Sequence, residues 1–148
     1  MPGKKRTHNL SHIDMSFRMQ GIMKLLGARI TRLERGFVEI STWNRPALSQ
    51  QDGLVHAGIL ATLMDSAGGY AVLSLLPSQS RVLAVEFKIN FMVPAVGEMI
   101  CGLGKVRRLG RKIAVCELEA KVRKNRTWAS CAWGSQTVYC IKPGETNG

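Results

Sequence analysis

A chain of 148 residues in which 45% are hydrophobic is long enough to fold as one domain around a substantial core. It has no run of about 18 apolar residues, and no apolar segment follows the basic residues 4–6, so neither a membrane span nor a secretory signal is expected. The expected location is therefore the cytosol, and the net charge of +11 favours anionic partners.

The two ends of the chain are predicted to lie outside the folded domain. Residues 1–11 form a polar, basic leader that is expected to be disordered, and residues 142–148 form a tail that is expected to be flexible. The domain is then expected to span residues 12–141. His8 and His12 have the i, i+4 spacing of a metal-binding pair, but no third ligand accompanies them and no metal site is predicted.

The first part of the domain is predicted to be a helix followed by a hairpin. Apolar residues recur at roughly helical spacing over residues 13–26, and Gly27 is expected to end that helix. Residues 28–35 and 37–43 lie on either side of one glycine and have the pattern of a β-hairpin. Residues 44–53 are rich in polar residues and contain a proline, which predicts a loop.

A long apolar helix follows, and it carries a single acid. Residues 56–76 have the pattern of a helix, which Pro77 is expected to close. Between Leu54 and Ser80 the only Lys, Arg, Asp or Glu is Asp65. A charge among so many apolar side chains is costly unless it has a partner or a role. Asp65 therefore either caps a neighbouring loop or takes part in chemistry.

Two faces of this helix are predicted to pack differently. A broad apolar face is expected to enter the core, and its members are Leu60, Leu63, Met64, Ala67, Tyr70 and Ala71. The face that carries the acid is small at Gly68 and Gly69, which suggests that another backbone packs closely there. We expect two chains to meet at this face.

The rest of the sequence is predicted to form long strands. Alternating polarity and turn residues place them at residues 81–93, 98–109, 112–123 and 127–141. Short turns between consecutive strands predict antiparallel pairing in a meander. The expected fold class is α+β, with one curved antiparallel β-sheet wrapped around the long helix.

The start of the long helix is a candidate oxyanion site. The first N–H groups of a helix are unpaired and, with the helix dipole, polarise a carbonyl oxygen, which points to the N–H groups of Ala57 and Gly58. Asp65, the obvious base or nucleophile, lies eight residues after Ala57, about 12 Å along the axis. One carbonyl cannot contact both within a chain, so we expect an isologous dimer whose sites each combine two chains. His56 is interpreted either as helix-entry packing or as a residue that shapes the loop.

The Gly-x-x-His-x-Gly pattern of residues 53–58, followed by Asp65, resembles the hotdog-fold acyl-CoA thioesterases of the PaaI-like, phenylacetate-degradation type. The similarity continues through residues 85–95 and 106–112, and it covers about residues 12–140. The resemblance implies the hotdog fold, homodimers that often pair into homotetramers, and hydrolysis of acyl-CoA. No cofactor is implied, because coenzyme A is part of the substrate.

The resemblance also implies roles for individual residues. Asp65 is the catalytic carboxylate, either as general base on water or as nucleophile, and the Ala57 N–H is the oxyanion donor. His56 supports the loop, and Gln50 stands where many members have an Asn that lies near the thioester. Two further departures are Ala57 itself, which replaces the usual Gly, and Ala84, which stands where relatives often have Ser or Thr.

A basic segment and an apolar pocket complete the predicted substrate site. Residues 105–126 contain nine Lys or Arg and two acids. Four of these are expected to pair with the phosphates of coenzyme A, namely Arg107, Arg108, Arg111 and Lys112. The acyl chain is expected to lie beside Leu54, Leu60 and Met64, where Gly58 allows close approach.

Two other functions fit parts of the sequence. A non-catalytic protein that binds acyl-CoA or an acyl carrier would share the substrate site, and the departures at Gln50 and Ala84 leave this alternative open. The second function, nucleic-acid binding, is suggested by the charge of the basic segment. Nucleic acid is nevertheless not an expected partner, because no aromatic residues are interleaved in that segment. The basic residues also suit solvated edge strands that discourage aggregation. Neither the acyl group nor the choice between dimer and tetramer is specified by the sequence.

Overall fold

The computed structural model describes residues 10–146, so most of the predicted leader, with His8, and the last two tail residues lie outside the described residues. Three helices, a short 3₁₀ turn and six strands make up this part of the chain. In chain order they are α1 (Ser11–Met19), α2 (Gly21–Leu26), β1 (Arg29–Glu34), β2 (Phe37–Trp43), the 3₁₀ turn (Pro46–Leu48), α3 (Ala57–Leu73), β3 (Arg81–Phe91), β4 (Met99–Leu109), β5 (Ile113–Lys124) and β6 (Thr127–Ile141).

The six strands form one antiparallel sheet in the order β1-β2-β4-β5-β6-β3. The sheet wraps α3, which confirms the α+β class and the hotdog arrangement. The predicted hairpin is β1–β2, and β4, β5 and β6 form the predicted meander. The prediction is wrong for β3, which pairs with β6 instead of β4. Residues 92–98 contain a proline and a glycine and leave the sheet, so that Ala95 is buried beside Val55 before α3 begins.

The predicted apolar face of α3 is confirmed, since all six of its members are buried in the core. The helix lies so close to β4 that a Cβ at Gly102 or Gly104 would overlap the α3 backbone. The prediction that two chains meet at Gly68 is wrong. It is buried within its own chain, where a Cβ would overlap the side chains of Gln136 and Leu118. The close approach at this point is therefore between α3 and its own sheet, and two chains do not meet at Gly68.

The segment predicted as one helix over residues 13–26 is two helices. Gln20 has an extended backbone (φ −68°, ψ 116°) and separates α1 from α2, while Gly27 ends α2 in the left-handed region (φ 64°) as predicted. The last carbonyls of α2 accept from side chains in and just after β2: the Thr42 hydroxyl donates to Leu26, and Arg45 donates to Leu25 and Leu26. Tertiary partners therefore complete the hydrogen bonds of a helix too short to be stable alone.

The described parts of both predicted tails are folded. Ser11, assigned by sequence to the leader, begins α1. After β6, the Glu145 carboxylate accepts from the Lys142 N–H and lies 2.7 Å from the Lys112 amine, so residues 142–146 turn back onto the sheet. No helix within residues 10–146 combines the length and the apolar character that spanning a bilayer requires.

Candidate active site

Asp65 lies near the middle of α3 and is half-buried. It lines two adjoining cavities. The first, of about 350 Å³, is enclosed by α1, α3, the beginning of β3 and the end of β6. The second, of about 440 Å³, lies towards the start of α3 and is also lined by Gly58 and Phe87. The acid predicted from sequence therefore faces space that a substrate could fill, and it does not cap a neighbouring loop.

The Asp65 carboxylate has one hydrogen-bond partner among the described residues. The Gln136 Nε2 amide donates to Asp65 Oδ1 and lies 3.4 Å from the Asp65 carbonyl oxygen. Burial raises the pKa of Asp65 above its ordinary value, and the hydrogen bond from Gln136 opposes that rise. The group is thus a carboxylate that is more basic than usual and has no cationic partner in residues 10–146. A raised pKa of this kind suits a general base.

Sequence reasoning missed Gln136, although the strand pattern contains a signal. In β6 every second residue from Gly134 to Cys140 is buried, and Gln136 is the polar member of that otherwise small or apolar set. A long polar side chain on the core side of a strand needs a partner, and the sequence alone does not say which.

Helix α1 covers the first cavity through contacts with α3. Phe17 packs edge-on against Tyr70, with ring centroids 5.8 Å apart, and the Ser16 and Tyr70 hydroxyls are 3.3 Å apart. The Ser66 hydroxyl donates to the Gln20 side chain at 3.4 Å. Burial raises the pKa of Tyr70, which therefore stays a neutral hydroxyl. These contacts give the cavity a polar wall on the side of α1.

The start of α3 offers one free N–H group. His56 is the N-cap, and its Nδ1 atom accepts from the Gly58 N–H at 2.9 Å. An Nδ1 atom that accepts carries no proton, so the imidazole is in its Nε2–H form. The Ala57 N–H has no acceptor among the described residues. Of the two donors predicted from sequence, the structure commits Gly58 to His56 and leaves Ala57 available to a ligand.

Gln50 lies in the tight turn before α3. Its N–H donates to the Leu54 carbonyl at 2.8 Å, and its side-chain oxygen accepts from the Asp52 N–H. Its amide group also lies 3.3 Å from the Asp52 carboxylate. The side chain is therefore folded onto its own turn, and within one chain the structure does not bring it to Asp65.

The acyl-pocket residues predicted on α3 are placed in the core. Leu60 is 3% exposed and Met64 is 0% exposed, and neither lines a cavity beside Asp65. They lie on the core stripe of the helix, whereas Asp65 lies on the adjoining stripe. Leu54 is half-buried in the loop before the helix. The apolar side chains that do line the first cavity come from several elements, and they are Leu73, Val82, Leu83, Ala84, Val138 and Ile141.

The four predicted phosphate ligands cluster around the β4–β5 turn. Arg107 forms an ion pair with Glu117, and Lys112 forms one with Glu145. Arg108 and Arg111 are exposed and have no acidic partner in residues 10–146. β4 begins beside the loop that precedes α3 and ends at this turn ten residues later, about 30 Å away along the strand. The basic turn therefore lies far from Ala57 of its own chain.

Comparison with known proteins agrees with the geometry. The sequence model of the Thioesterase superfamily matches residues 52–129, which is more than half of the chain. A thioesterase family protein from Silicibacter pomeroyi has 37% sequence identity and a TM-score of 0.87, with 90% of this chain and 99% of that chain covered.

Two more distant proteins extend this comparison. The Escherichia coli medium/long-chain acyl-CoA thioesterase YigI is 22% identical over 111 residues, covering 65% of this chain and 72% of that protein. A Haemophilus influenzae thioesterase of 19% identity shares the fold, with a TM-score of 0.81 over 97% of this chain and 98% of that chain. The family match and the hotdog architecture together show that this chain belongs to the thioesterase superfamily and is a hydrolase of that family.

Proposed function

We propose that the protein hydrolyses acyl-CoA thioesters at sites that each combine two copies of the chain, as a PaaI-like enzyme. The observation that carries the proposal is Asp65, a half-buried carboxylate without a cationic partner in residues 10–146, placed where two cavities meet. The choice of acyl-CoA is supported by the name of the relative YigI, and the PaaI-like assignment by the pattern of residues 53–58 with Asp65.

In the proposed reaction Asp65 takes a proton from water as the water attacks the thioester carbonyl. The carbonyl oxygen becomes an oxyanion, which accepts from the Ala57 N–H of a second copy at the positive end of its α3. Collapse of the tetrahedral intermediate breaks the C–S bond, and Asp65 returns its proton to the departing coenzyme A thiolate. In the nucleophilic variant, Asp65 attacks the carbonyl itself, the C–S bond breaks and coenzyme A leaves as the thiolate. Water then hydrolyses the mixed anhydride, which releases the acid, regenerates Asp65 and supplies the proton that the thiolate takes up.

A panel of acyl-CoA thioesters that differ in chain length and ring content tests the proposal. Release of coenzyme A, measured by thiol titration, is the expected result for part of the panel. Saturable binding of the same compounds without release would contradict hydrolysis and would favour the non-catalytic acyl-CoA or acyl-carrier binder. The panel also identifies the acyl group.

The need for a second copy follows from the geometry of α3. Ala57 and Asp65 lie on the same helix about 12 Å apart along the axis, too far to contact one carbonyl. β3 is an edge strand of eleven residues whose outer side has no partner strand in residues 10–146. Several of its large apolar side chains are exposed, including Val85 at 57% and Phe87 at 45%. A long apolar edge of this kind pairs readily with another strand, and we propose that the homodimer forms here.

A lysine introduced on β3 tests this interface. We expect Val85→Lys to convert a dimer into a monomer in analytical ultracentrifugation and to abolish hydrolysis, because like charges would meet across the two-fold axis. Thr31 provides the control position, because it lies on β1, the other edge strand of the sheet. Thr31→Lys adds the same charge there and should leave the assembly and the rate unchanged. A monomeric wild-type protein with full activity would contradict the two-chain site.

The exposed arginines of the β4–β5 turn suit the phosphates of coenzyme A. We expect Arg108→Gln/Arg111→Gln to raise KM for acyl-CoA roughly tenfold with little change in kcat, since each exposed ion pair contributes weakly. Added salt should weaken wild-type binding more than binding by the variant. Steady-state kinetics at two ionic strengths measures both effects.

A charge-matched control is available at the opposite end of β5. Lys124 and Arg126 flank the β5–β6 turn and are exposed. Lys124→Gln/Arg126→Asn removes the same number of charges and should leave KM unchanged. Equal effects of the two double variants would mean that net charge, and not a phosphate site at the β4–β5 turn, governs binding.

A further inference from the structure

Gln136 is a buried polar residue with an unusual environment. It lies on the core side of β6 and is 1% exposed. The inward neighbours two residues before and after it are Gly134 and Val138, and both are buried. Its side chain crosses from the sheet to α3 and reaches Asp65, a residue 71 positions earlier in the chain.

The nitrogen and the oxygen of the Gln136 side-chain amide differ in their hydrogen bonding. Its Nε2 donates to Asp65 Oδ1, whereas its Oε1 is buried and has no hydrogen-bond partner among the described residues. A buried acceptor without a partner costs stability, so an apolar side chain of similar volume would suit this position of the core better. The amide is therefore poorly explained by folding and well explained by its contact with Asp65.

Gly68 provides the space that the Gln136 amide occupies. It lies one turn after Asp65 on α3, and a Cβ at this position would overlap Gln136 Oε1 and would come within 2.9 Å of a Leu118 methyl group. Glycine in a helix interior is unfavourable compared with alanine. Gly68 and Gln136 therefore form one arrangement, in which the missing side chain of the first leaves room for the amide of the second. In this arrangement the other oxygen of the Asp65 carboxylate, Oδ2, has no protein partner in residues 10–146.

We propose that Gln136 is a positioning residue for Asp65, holding Oδ1 so that Oδ2 faces the substrate, and that Gly68 is required because it leaves room for the amide. The proposal rests on the proposed function, since it assigns Gln136 a role in the same site. Gln136 does not contact the reacting atoms and acts only through the carboxylate.

The hydrogen bond from Gln136 lowers the pKa of Asp65. An N–H that donates to a carboxylate favours its charged form, so Gln136 holds the pKa of Asp65 below the value that burial alone would produce. The titratable or charged side chains on the surrounding elements are few. Tyr70 comes from α3 itself and Arg81 from β3, while β5 contributes the Cys116 thiol, which lies 3.6 Å from the Gly68 carbonyl. α1, α2 and β6 face Asp65 with uncharged side chains only.

The direct test is the titration of the Asp65 carboxyl carbon by NMR in full-length, ¹³C-labelled protein. Gln136→Met keeps the approximate volume and removes the donor, and we expect it to raise the Asp65 midpoint by about one pH unit. Gln136→Glu places a second carboxyl group beside Asp65 and should raise the midpoint further. An Asp65 midpoint that is the same in all three proteins would overturn the proposal whether or not any of them hydrolyses a thioester.

The kinetic test uses the same variants with an acyl-CoA that the wild-type protein hydrolyses. The acid limb of the kcat/KM profile should move to higher pH in the order wild type, Gln136→Met, Gln136→Glu, with the largest loss of rate at low pH. A purely structural role would lower the rate by the same factor at every pH. Ser135→Ala, on the outward side of the same strand, serves as the control and should leave the profile unchanged.

Gly68→Ala tests the second half of the proposal without altering Gln136. The new methyl group should displace the amide and raise the Asp65 midpoint as Gln136→Met does. In the double variant Gly68→Ala/Gln136→Met the two effects on the midpoint should not add, because each removes the same hydrogen bond. Additive effects, or a Gly68→Ala protein that is folded by circular dichroism and has the wild-type midpoint, would overturn the link between Gly68 and Gln136.

Discussion

We expect Asp65→Asn to lower the rate of coenzyme A release by about 10²–10⁴-fold, the range that a positioned general base contributes. The replacement keeps the shape of the side chain and removes only its ability to accept a proton or attack a carbonyl. KM for acyl-CoA should change little, because the proposed contacts to the phosphates and the acyl group do not involve the Asp65 carboxylate. Thiol titration under saturating substrate measures the loss, and a variant with wild-type turnover would remove Asp65 from the chemistry.

The same substitution should make the protein more stable. Burial raises the pKa of Asp65, so the folded state holds the proton more tightly than the unfolded state, and ionisation of Asp65 costs folding free energy. This cost is absent below the ordinary carboxyl pKa and is fully present above the raised folded pKa. Asp65→Asn removes it, so Tm should rise at pH 8 and the gain should shrink towards zero as the pH falls below the ordinary carboxyl range.

A matched aspartate provides the control. Asp14 lies on α1 and forms an exposed ion pair with Arg18 at 2.7 Å. Asp14→Asn should leave the rate unchanged and should lower Tm slightly at most, because exposed pairs contribute little. A fall in Tm for Asp65→Asn at pH 8 would show that its carboxylate stabilises the fold and that the activity loss could not be assigned to chemistry alone.

We expect Ala57→Pro to lower kcat by about 10²–10³-fold, the effect of removing one oxyanion donor in comparable sites. Proline has no N–H, and the first position of a helix tolerates it well because the ring fixes a helical φ. The preceding residue, His56, already has the extended backbone that proline requires, with ψ at 133°. The variant therefore deletes a single hydrogen bond donor while α3 is retained.

Ala57→Ser is the control for this experiment, since it changes the side chain and retains the N–H. It should keep near wild-type kcat. Circular dichroism and Tm show whether Ala57→Pro is folded. If Ala57→Pro is folded and fully active, the oxyanion is stabilised elsewhere, and the start of α3 has no role in the reaction.

Mixing the two inactive proteins separates one-chain from two-chain sites. If each site takes Asp65 from one chain and the Ala57 N–H from the other, a heterodimer of Asp65→Asn and Ala57→Pro chains contains one intact site and one site with both defects. Random exchange should then restore about a quarter of wild-type activity. If both groups served one site within a chain, every site in the mixture would carry a defect and no activity would return.

Much of the fold follows from local sequence patterns. The helical stripe of α3, the alternation of the strands and the left-handed Gly27 depend on neighbours a few residues apart, so they could be predicted residue by residue. The break at Gln20 could not, because α2 is completed by hydrogen bonds from Arg45, which lies outside the helix. The pairing of β3 with β6 was missed for a similar reason. Alternation indicates which side of a strand is buried but not which strand lies beside it.

Some residues of the candidate site could also be predicted from local sequence, and others could not. Asp65, His56 and Ala57 could be found because an acid in an apolar helix and a glycine-rich helix start are visible in consecutive residues. The apolar stripe of α3 also predicted that Leu60 and Met64 are buried. Their placement in the core does not support the further expectation that they contact the acyl group. Gln136 could not be assigned to Asp65, since the two meet only after β6 is placed beneath α3.

The sequence by itself determined the long helix, its single acid, the N–H group at its start and the distance of about 12 Å between them, because a helix has a constant rise per residue. Tertiary structure alone decided which N–H lacks an acceptor among the described residues, which side chain donates to the carboxylate, and which strands lie at the edges of the sheet. These depend on contacts between residues tens of positions apart, and such contacts are set by how the helix and sheet pack together rather than by the periodicity of either one.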